Sequence, residues 1–461
     1  MSEHPDLIIV NGRLVTMNAR REVLVDGAIA IAGERIAAVG GTSELRSRFP
    51  GTRELDVGGG VVLPGFVNAH QHVTGGPLTW SCIPDDLRPG QSIFEWAVPL
   101  HDAERPEDEE LSATLVAAQS LRNGVTTLVE PGTVGAPGPV ARGLAAAGIR
   151  ATVGIWGWDI EQGPFAAPAA EVLDRIRDVL LAYPAGGTIE GWVTIIGHSL
   201  ASDELLVGAA ELARDFGVHM TMHLSPTSSD PEVYLERTGK RPAVHLRDLG
   251  VLGPHLLLGH AVWLDDAEVE AILASRTAVA YCPWAYLRLG QGVARNTRHA
   301  ELFRAGGRVA LGCDSVNAGD APDILRTAAL AAGLAKDQRV DATWFGAHEA
   351  LEMATIAGAE AIGMAERIGS LEAGKLADLV VLDAAGPQWA AEGDPALKLV
   401  WSSDGRDVRH VFVAGRQVVR DGQLLTLDEA ALRAEVAEAS RALLARAGLT
   451  PPVRWPVLRG G

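Results

Sequence analysis

The stretch VVLPGFVNAHQH, residues 61–72, is an apolar, strand-forming run that ends on two histidines spaced two positions apart. Alternate residues of a strand share a face, so His70 and His72 point the same way and can hold one ion together. Seven further runs of this kind follow: VTTLVEP (125–131), IRATVGIW (149–156), GWVTIIGH (191–198), VHMTMH (218–223), HLLLGH (255–260), TAVAYCP (277–283) and RVALGCD (308–314). Between them lie alanine- and leucine-rich stretches with helical spacing, the pattern of repeated βα units. Eight such units predict an α/β fold, a closed (β/α)8 TIM barrel whose strand C-termini all open onto one face.

Outward from the barrel, the two ends of the chain read differently. Residues 6–60 read as short strands separated by turns, LIIV, then NG, then RLVTM, and later GAIAIAGERIAAVG. After a helical stretch at 344–365, IGSLEAGKLADLVVLD and RHVFVAGRQVVRDG return to strand and hairpin character. Residues 1–60 and 366–426 are therefore expected to form one small composite β-sandwich domain, with the barrel at 61–365 inserted between its halves. Residues 427–461 are expected to form a C-terminal helix and tail. The acidic run ERPEDEE (104–110) reads as the solvated first turn of a barrel helix.

Composition narrows the function classes. A chain of 461 residues that is 47% hydrophobic and 21% charged can bury a large core. Forty basic against 58 acidic residues leave a formal charge of -18 with no basic patch, which disfavours nucleic acid and anionic membrane as partners. Three cysteines without CxxC spacing give no disulfide framework and no cysteine zinc site, as expected of a cytoplasmic protein. The first residues lack a charged segment followed by a long apolar run, and no stretch of about 18 apolar residues follows, so neither secretion nor membrane insertion is expected.

Four of the runs end on His or Asp: His70 and His72, His223, His260, and Asp314. In a barrel these strand ends converge, so His70, His72, His223 and Asp314 are the expected ligands of one divalent ion. Imidazole and carboxylate donors with an open position suit zinc, and iron or manganese accepts the same set. His101, His219, His245, His255, His299 and His348 have no comparable placement. Trp80, Trp156, Trp158 and Trp284 fall just beyond strand ends and are candidate substrate contacts; packing of rim loops accounts for them equally well. Cys82, Cys282 and Cys313 read as small packing residues.

Six stretches in order, VVLPGFVNAHQH, GVHMTMHLSP, GKRPAVHLRDLGVLGPHLLLGHAVWL, YCPWAYLRLGQGV, RVALGCDS and IGSLEAGKLADLVVLD, resemble the metal-dependent amidohydrolase superfamily, in its cytosine-deaminase-like and triazine-hydrolase-like (chlorohydrolase) branch. The resemblance covers nearly the whole chain. It implies metal ligation by His70, His72, His223 and Asp314, a catalytic role for His260, substrate contact by His198, and a homo-oligomer. No lysine precedes Lys240, so a carboxylated lysine ahead of His223 is ruled out and a mononuclear site is expected.

The ion would lower the pKa of a water molecule so that hydroxide attacks an electrophilic carbon. Asp314 would move its proton and His260 would hydrogen-bond the attacking or developing oxygen. Members of the branch that deaminate rings carry glutamate three positions after the strand-five histidine. Here His223 is followed by Leu224, Ser225 and Pro226, and proline transfers no proton. The expectation is therefore hydrolysis of a non-peptide carbon–nitrogen bond of amide, urea or carbamate type in a small molecule. The alternative is a deaminase or dechlorinase of an aminated purine, pyrimidine or triazine, with Glu130, Glu95 or Asp230 standing in for the glutamate. An inactive ligand-binding member is the second alternative.

Overall fold

The computed structural model describes residues 4–160, 163–319 and 321–458; residues 1–3 and 459–461 of the expected terminal segments lie outside them. Alternation of apolar residues at both chain ends produces a nine-stranded sheet. Its spatial order is Gln423–Leu424, Arg416–Arg420, Val408–Val413, Leu379–Leu382, Val61–Pro64, Leu7–Val15, Val23–Ala32 and Arg35–Gly41, with Glu54–Asp56 also pairing to Leu7–Val15. One face buries Ile9, Leu14, Ile29, Val62, Leu379 and Phe412 from both halves of the chain. The other buries Ile8, Val10, Ala28 and Ala30 beneath Leu45 of the helix Thr42–Arg48.

Two local readings are corrected here. The NG pair at 11–12 is not a turn but a bulge inside one continuous strand, Leu7–Val15, where Asn11 takes φ 57° and the pairing register shifts. The run 61–70 is not one strand but two. Val61–Pro64 pairs with Leu7–Val15 and Leu379–Leu382, whereas Phe66–Asn68 pairs parallel to the barrel strand Val125–Leu128. The break falls at Gly65, where a Cβ would lie 2.1 Å from Thr126 Oγ1, so only glycine lets the chain pass from one sheet to the other.

The barrel strands are Phe66–Asn68, Val125–Leu128, Arg150–Val153, Ile189–Gly191 continuing into Val193–Gly197, Met220–Leu224, Leu256–His260, Ala278–Tyr281 and Arg308–Leu311. They pair in parallel in that order. At Trp192 the amide donates to Val153 O at 3.0 Å, while Val193 N donates to His219 O at 3.1 Å, which joins the two halves. The ring is completed where Ala69 N donates to Leu311 O at 2.8 Å. This is the expected TIM barrel with a terminal β domain. Among the described residues no helix is long and apolar enough to cross a membrane.

The acidic run is also corrected. It does open the helix Pro106–Arg122, but Asp108 and Glu109 are each only 6% exposed. Asp108 accepts from Arg105 N at 2.9 Å and pairs with Arg446 of the C-terminal helix Glu429–Ala447. Glu109 accepts from Gly135 N at 3.0 Å and Ala136 N at 2.7 Å. Backbone and guanidinium donors take the place of water, which is how charged groups become buried.

Candidate metal centre and active site

The first and last barrel strands are laced together beneath the site. Asn68 Oδ1 accepts from Cys313 N at 3.1 Å, and its Nδ2 donates to Gln71 Oε1 at 2.9 Å. Gln71 Nε2 donates to Asp314 O at 2.5 Å, and His70 O accepts from Asp314 N at 2.8 Å. His70, with no exposed surface, sits between two glycines. A Cβ at Gly259 would lie 2.7 Å from its Cε1 and one at Gly312 2.8 Å from its Cβ.

His70, His72 and His223 converge so that their ligating nitrogens lie within 4.8 Å of one another, and His70, His260, Cys282 and Asp314 form an overlapping group within the same limit. His72 Nε2 stands 3.4 Å from Asp314 Oδ1 and 3.2 Å from His223 Nε2. His70 Nε2 is 3.9 Å from the same carboxylate, and His260 Nδ1 is 4.0 Å from Asp314 Oδ2. His260 and Asp314 both adopt left-handed backbone, with φ 76° and 64°, and Ser225 after His223 does so at 44°. Such conformations in non-glycine residues are costly and cluster where side chains must be aimed.

The protonation pattern fits a cation. Burial pushes His70 and His72 well below the usual imidazole range, and His223 down to about 4, so all three are neutral. Glu130, fully buried, accepts from Gly132 N at 2.8 Å, Thr133 N at 2.9 Å and Thr133 Oγ1 at 3.1 Å. Burial lifts Glu130 to about 7; with Glu130 ionised, the Thr133 hydroxyl donates to it and accepts from His72 Nδ1, 2.9 Å away, which leaves the His72 Nε2 lone pair bare toward the cluster. Both ring nitrogens of His70 and Nδ1 of His223 are buried without a hydrogen-bond partner. Orphaned neutral donors around one carboxylate are the ligand set of a divalent ion. Burial lifts Asp314 to about 6 against the opposing hydrogen bond from Ser315 N.

The remaining candidates have these places. His198 accompanies the cluster: its Nδ1 lies 3.3 Å from His223 O and its buried Nε2 has no partner. Trp156 stacks on Phe165 with centroids 4.0 Å apart and meets His101 edge-on at 5.2 Å. Trp158 is 3% exposed and its indole N–H donates to Ile160 O. Trp80 packs against the main core, and Trp284 is covered by the guanidinium of Arg326 at 4.8 Å. Pro226 is half-buried.

The three alternative acids all accept hydrogen bonds, and burial lifts Glu130 to about 7. Glu130 is engaged as described, Asp230 accepts from Thr227 N at 2.7 Å, and Glu95 is exposed and accepts from Gln91 at 3.3 Å. Sequence reading missed Asn68, Gln71, Thr133 and Tyr286, whose Oη is 3.3 Å from His260 Nδ1. Glycine inside LLLGH and LGCD was the one local signal of close packing on His70. Cys282, expected only to pack, lies at the site, where burial pushes its thiol well above the usual range and keeps it protonated.

The amidohydrolase family model matches residues 61–418, and a bacterial imidazolonepropionase-like composite domain matches residues 27–51. A 5-methylthioadenosine/S-adenosylhomocysteine deaminase of Syntrophobacter fumaroxidans is 34% identical over 93% of this chain and 96% of its own length. A 5′-deoxyadenosine deaminase of Methanopyrus kandleri is 30% identical over 92% of this chain and 96% of its own. Among solved structures, an adenosine deaminase from Xanthomonas campestris with bound zinc superposes with TM-score 0.91 at 27% identity, covering 96% of this chain and all of that one (100%). An atrazine chlorohydrolase from Arthrobacter aurescens complexed with zinc shares the fold at TM-score 0.84 and 22 to 23% identity, over 94% of this chain and 100% of its own.

Proposed function

The chain belongs to the amidohydrolase family and is a hydrolase of carbon–nitrogen bonds other than peptide bonds, and from that premise we propose that it removes the exocyclic amine of an adenine-type nucleoside as ammonia, using one zinc ion. The observation that carries this reading is the cluster of buried, neutral histidines beside Asp314, in which both ring nitrogens of His70 and Nδ1 of His223 have no partner, found in a chain similar over nearly its whole length to nucleoside deaminases. The similarity to deaminases is the reason for preferring ring deamination to the amide, urea or carbamate hydrolysis expected from Pro226.

His70, His72, His223 and Asp314 would hold the ion. When bound, it supplies Lewis acidity and brings the pKa of water toward neutrality. Asp314 accepts the proton of the attacking water and returns it to a ring nitrogen as oxygen adds to the amine-bearing carbon. A second transfer, from the new hydroxyl to the amine, releases ammonia and leaves the ring carbonyl. His260 hydrogen-bonds the adding oxygen, and the free Nε2 of His198 faces the substrate. Trp156, stacked on Phe165, offers an aromatic wall for a flat ring, with Trp80, Trp158 and Trp284 as further candidate contacts.

Incubation of the purified protein with 5′-methylthioadenosine, S-adenosylhomocysteine and 5′-deoxyadenosine, beside N-aryl ureas, carbamates and amides, separates the readings. Ammonia from a nucleoside is expected. Turnover of a urea or carbamate with no nucleoside deaminated would instead establish the acyl-type reading, which Pro226 favours because carbonyl hydrolysis needs no ring proton. Pro226→Glu supplies the absent acid at its family position and is expected to raise nucleoside deamination by about tenfold or more. An unchanged rate would mean that this position does not limit proton delivery.

A further inference from the structure

His299 opens the short helix His299–Arg304 and has no exposed surface. Its Nε2 lies 2.6 Å from the carbonyl oxygen of His260. A carbonyl only accepts, so Nε2 carries the ring proton. Its Nδ1 lies 2.6 Å from Thr297 Oγ1 and, in the neutral ring, accepts from that hydroxyl. The ring plane is fixed by stacking on Tyr281, with centroids 4.0 Å apart and 16° between planes. Burial, which holds His299 down to about 4, keeps this one-way chain neutral.

The carbonyl it holds belongs to a left-handed peptide of the site. His260 at φ 76° and Ala261 at φ 51° are consecutive left-handed residues without glycine, and this bend turns the His260 ring toward Asp314 and Tyr286. We propose that His299 is a positioning residue: its hydrogen bond locks the left-handed peptide of His260 and so aims that imidazole at the reacting oxygen. The inference rests on the proposed function for the role of His260, and goes beyond it in naming the group that sets its geometry.

The test compares His299→Leu, which removes the donor, with His299→Gln, whose amide N–H reaches a similar point, each alone and in a His260→Ala background. Nucleoside deamination, zinc content and thermal midpoint are measured for every form. His299→Leu is expected to lower kcat by about a hundredfold with KM and zinc content retained, as for a small misplacement of a catalytic group. His299→Gln is expected to recover most of it, and His299→Leu to cost nothing further once His260 is alanine. An equal loss in both backgrounds, or loss of zinc in step with activity, would overturn the proposal. A readout independent of substrate is ¹⁵N NMR of the wild-type His299 ring: protonation at Nε2 supports the proposal and protonation at Nδ1 sinks it. A protein that deaminates no nucleoside yet shows the Nε2 proton would refute the proposed function and leave the His299 hydrogen bond established.

Discussion

Thr133 stands between a buried carboxylate and His72, and its hydroxyl serves both only by donating to one and accepting from the other. That direction fixes which His72 nitrogen is bare. Thr133→Val keeps the shape but removes the acceptor, so zinc affinity is expected to fall by about 10- to 100-fold, measured by competition with a chelator, while the fold persists. A second residue-scale effect concerns pH. Burial raises Glu104 to about 8, helped by Glu109 and opposed by the hydrogen bond from Gly75 N at 2.8 Å. The folded state then holds a proton that the unfolded chain gives up near its ordinary value, so stability is lost as pH rises between about 4.5 and 8. Glu104→Gln removes this titration. Its thermal midpoint should fall less than that of wild type over that window; parallel curves would contradict the assignment.

The barrel strands act as levers whose ends carry the chemistry, and their glycines decide how closely they approach. Gly312 lies where a Cβ would meet both Cys282 Sγ at 2.7 Å and His70 Cβ at 2.8 Å. Gly312→Ala must therefore shift the first or the eighth strand end. The expected result is loss of bound zinc in material that still unfolds cooperatively, read by elemental analysis beside thermal melting; full zinc occupancy would show that the strand ends have slack. The C-terminal helix contributes at the same scale. Asp428 accepts from Ala430 N and Ala431 N at its start, and Leu443 packs with Leu78, Ile83 and Leu100 in the region after strand one. The helix was readable from spacing, but its partner was not, because nothing local marks the acidic run at 104–110 as its docking surface.

At the scale of the molecule, the barrel and the terminal sheet are bolted by a buried pair. Arg150 on the third barrel strand donates to both carboxylate oxygens of Asp378, at 2.9 and 3.1 Å, and Asp378 also accepts from Ala414 N at 2.7 Å. Asp378→Ala strands a buried guanidinium and should cost about 3 to 5 kcal/mol in urea unfolding, with zinc content per folded molecule unchanged. Periodicity, turn residues and the His and Asp at strand ends are local properties of the chain, so the barrel, the terminal β domain and the candidate ligand set were legible before any coordinates. The bulge at Asn11, the strand break at Gly65 and the burial of Asp108 and Glu109 were not, since each depends on what a distant segment presents. The same holds for the bare nitrogen of His72 and the clamp on His260: a side chain's identity is written in the sequence, but its protonation and aim are set by neighbours that only folding brings within hydrogen-bonding distance.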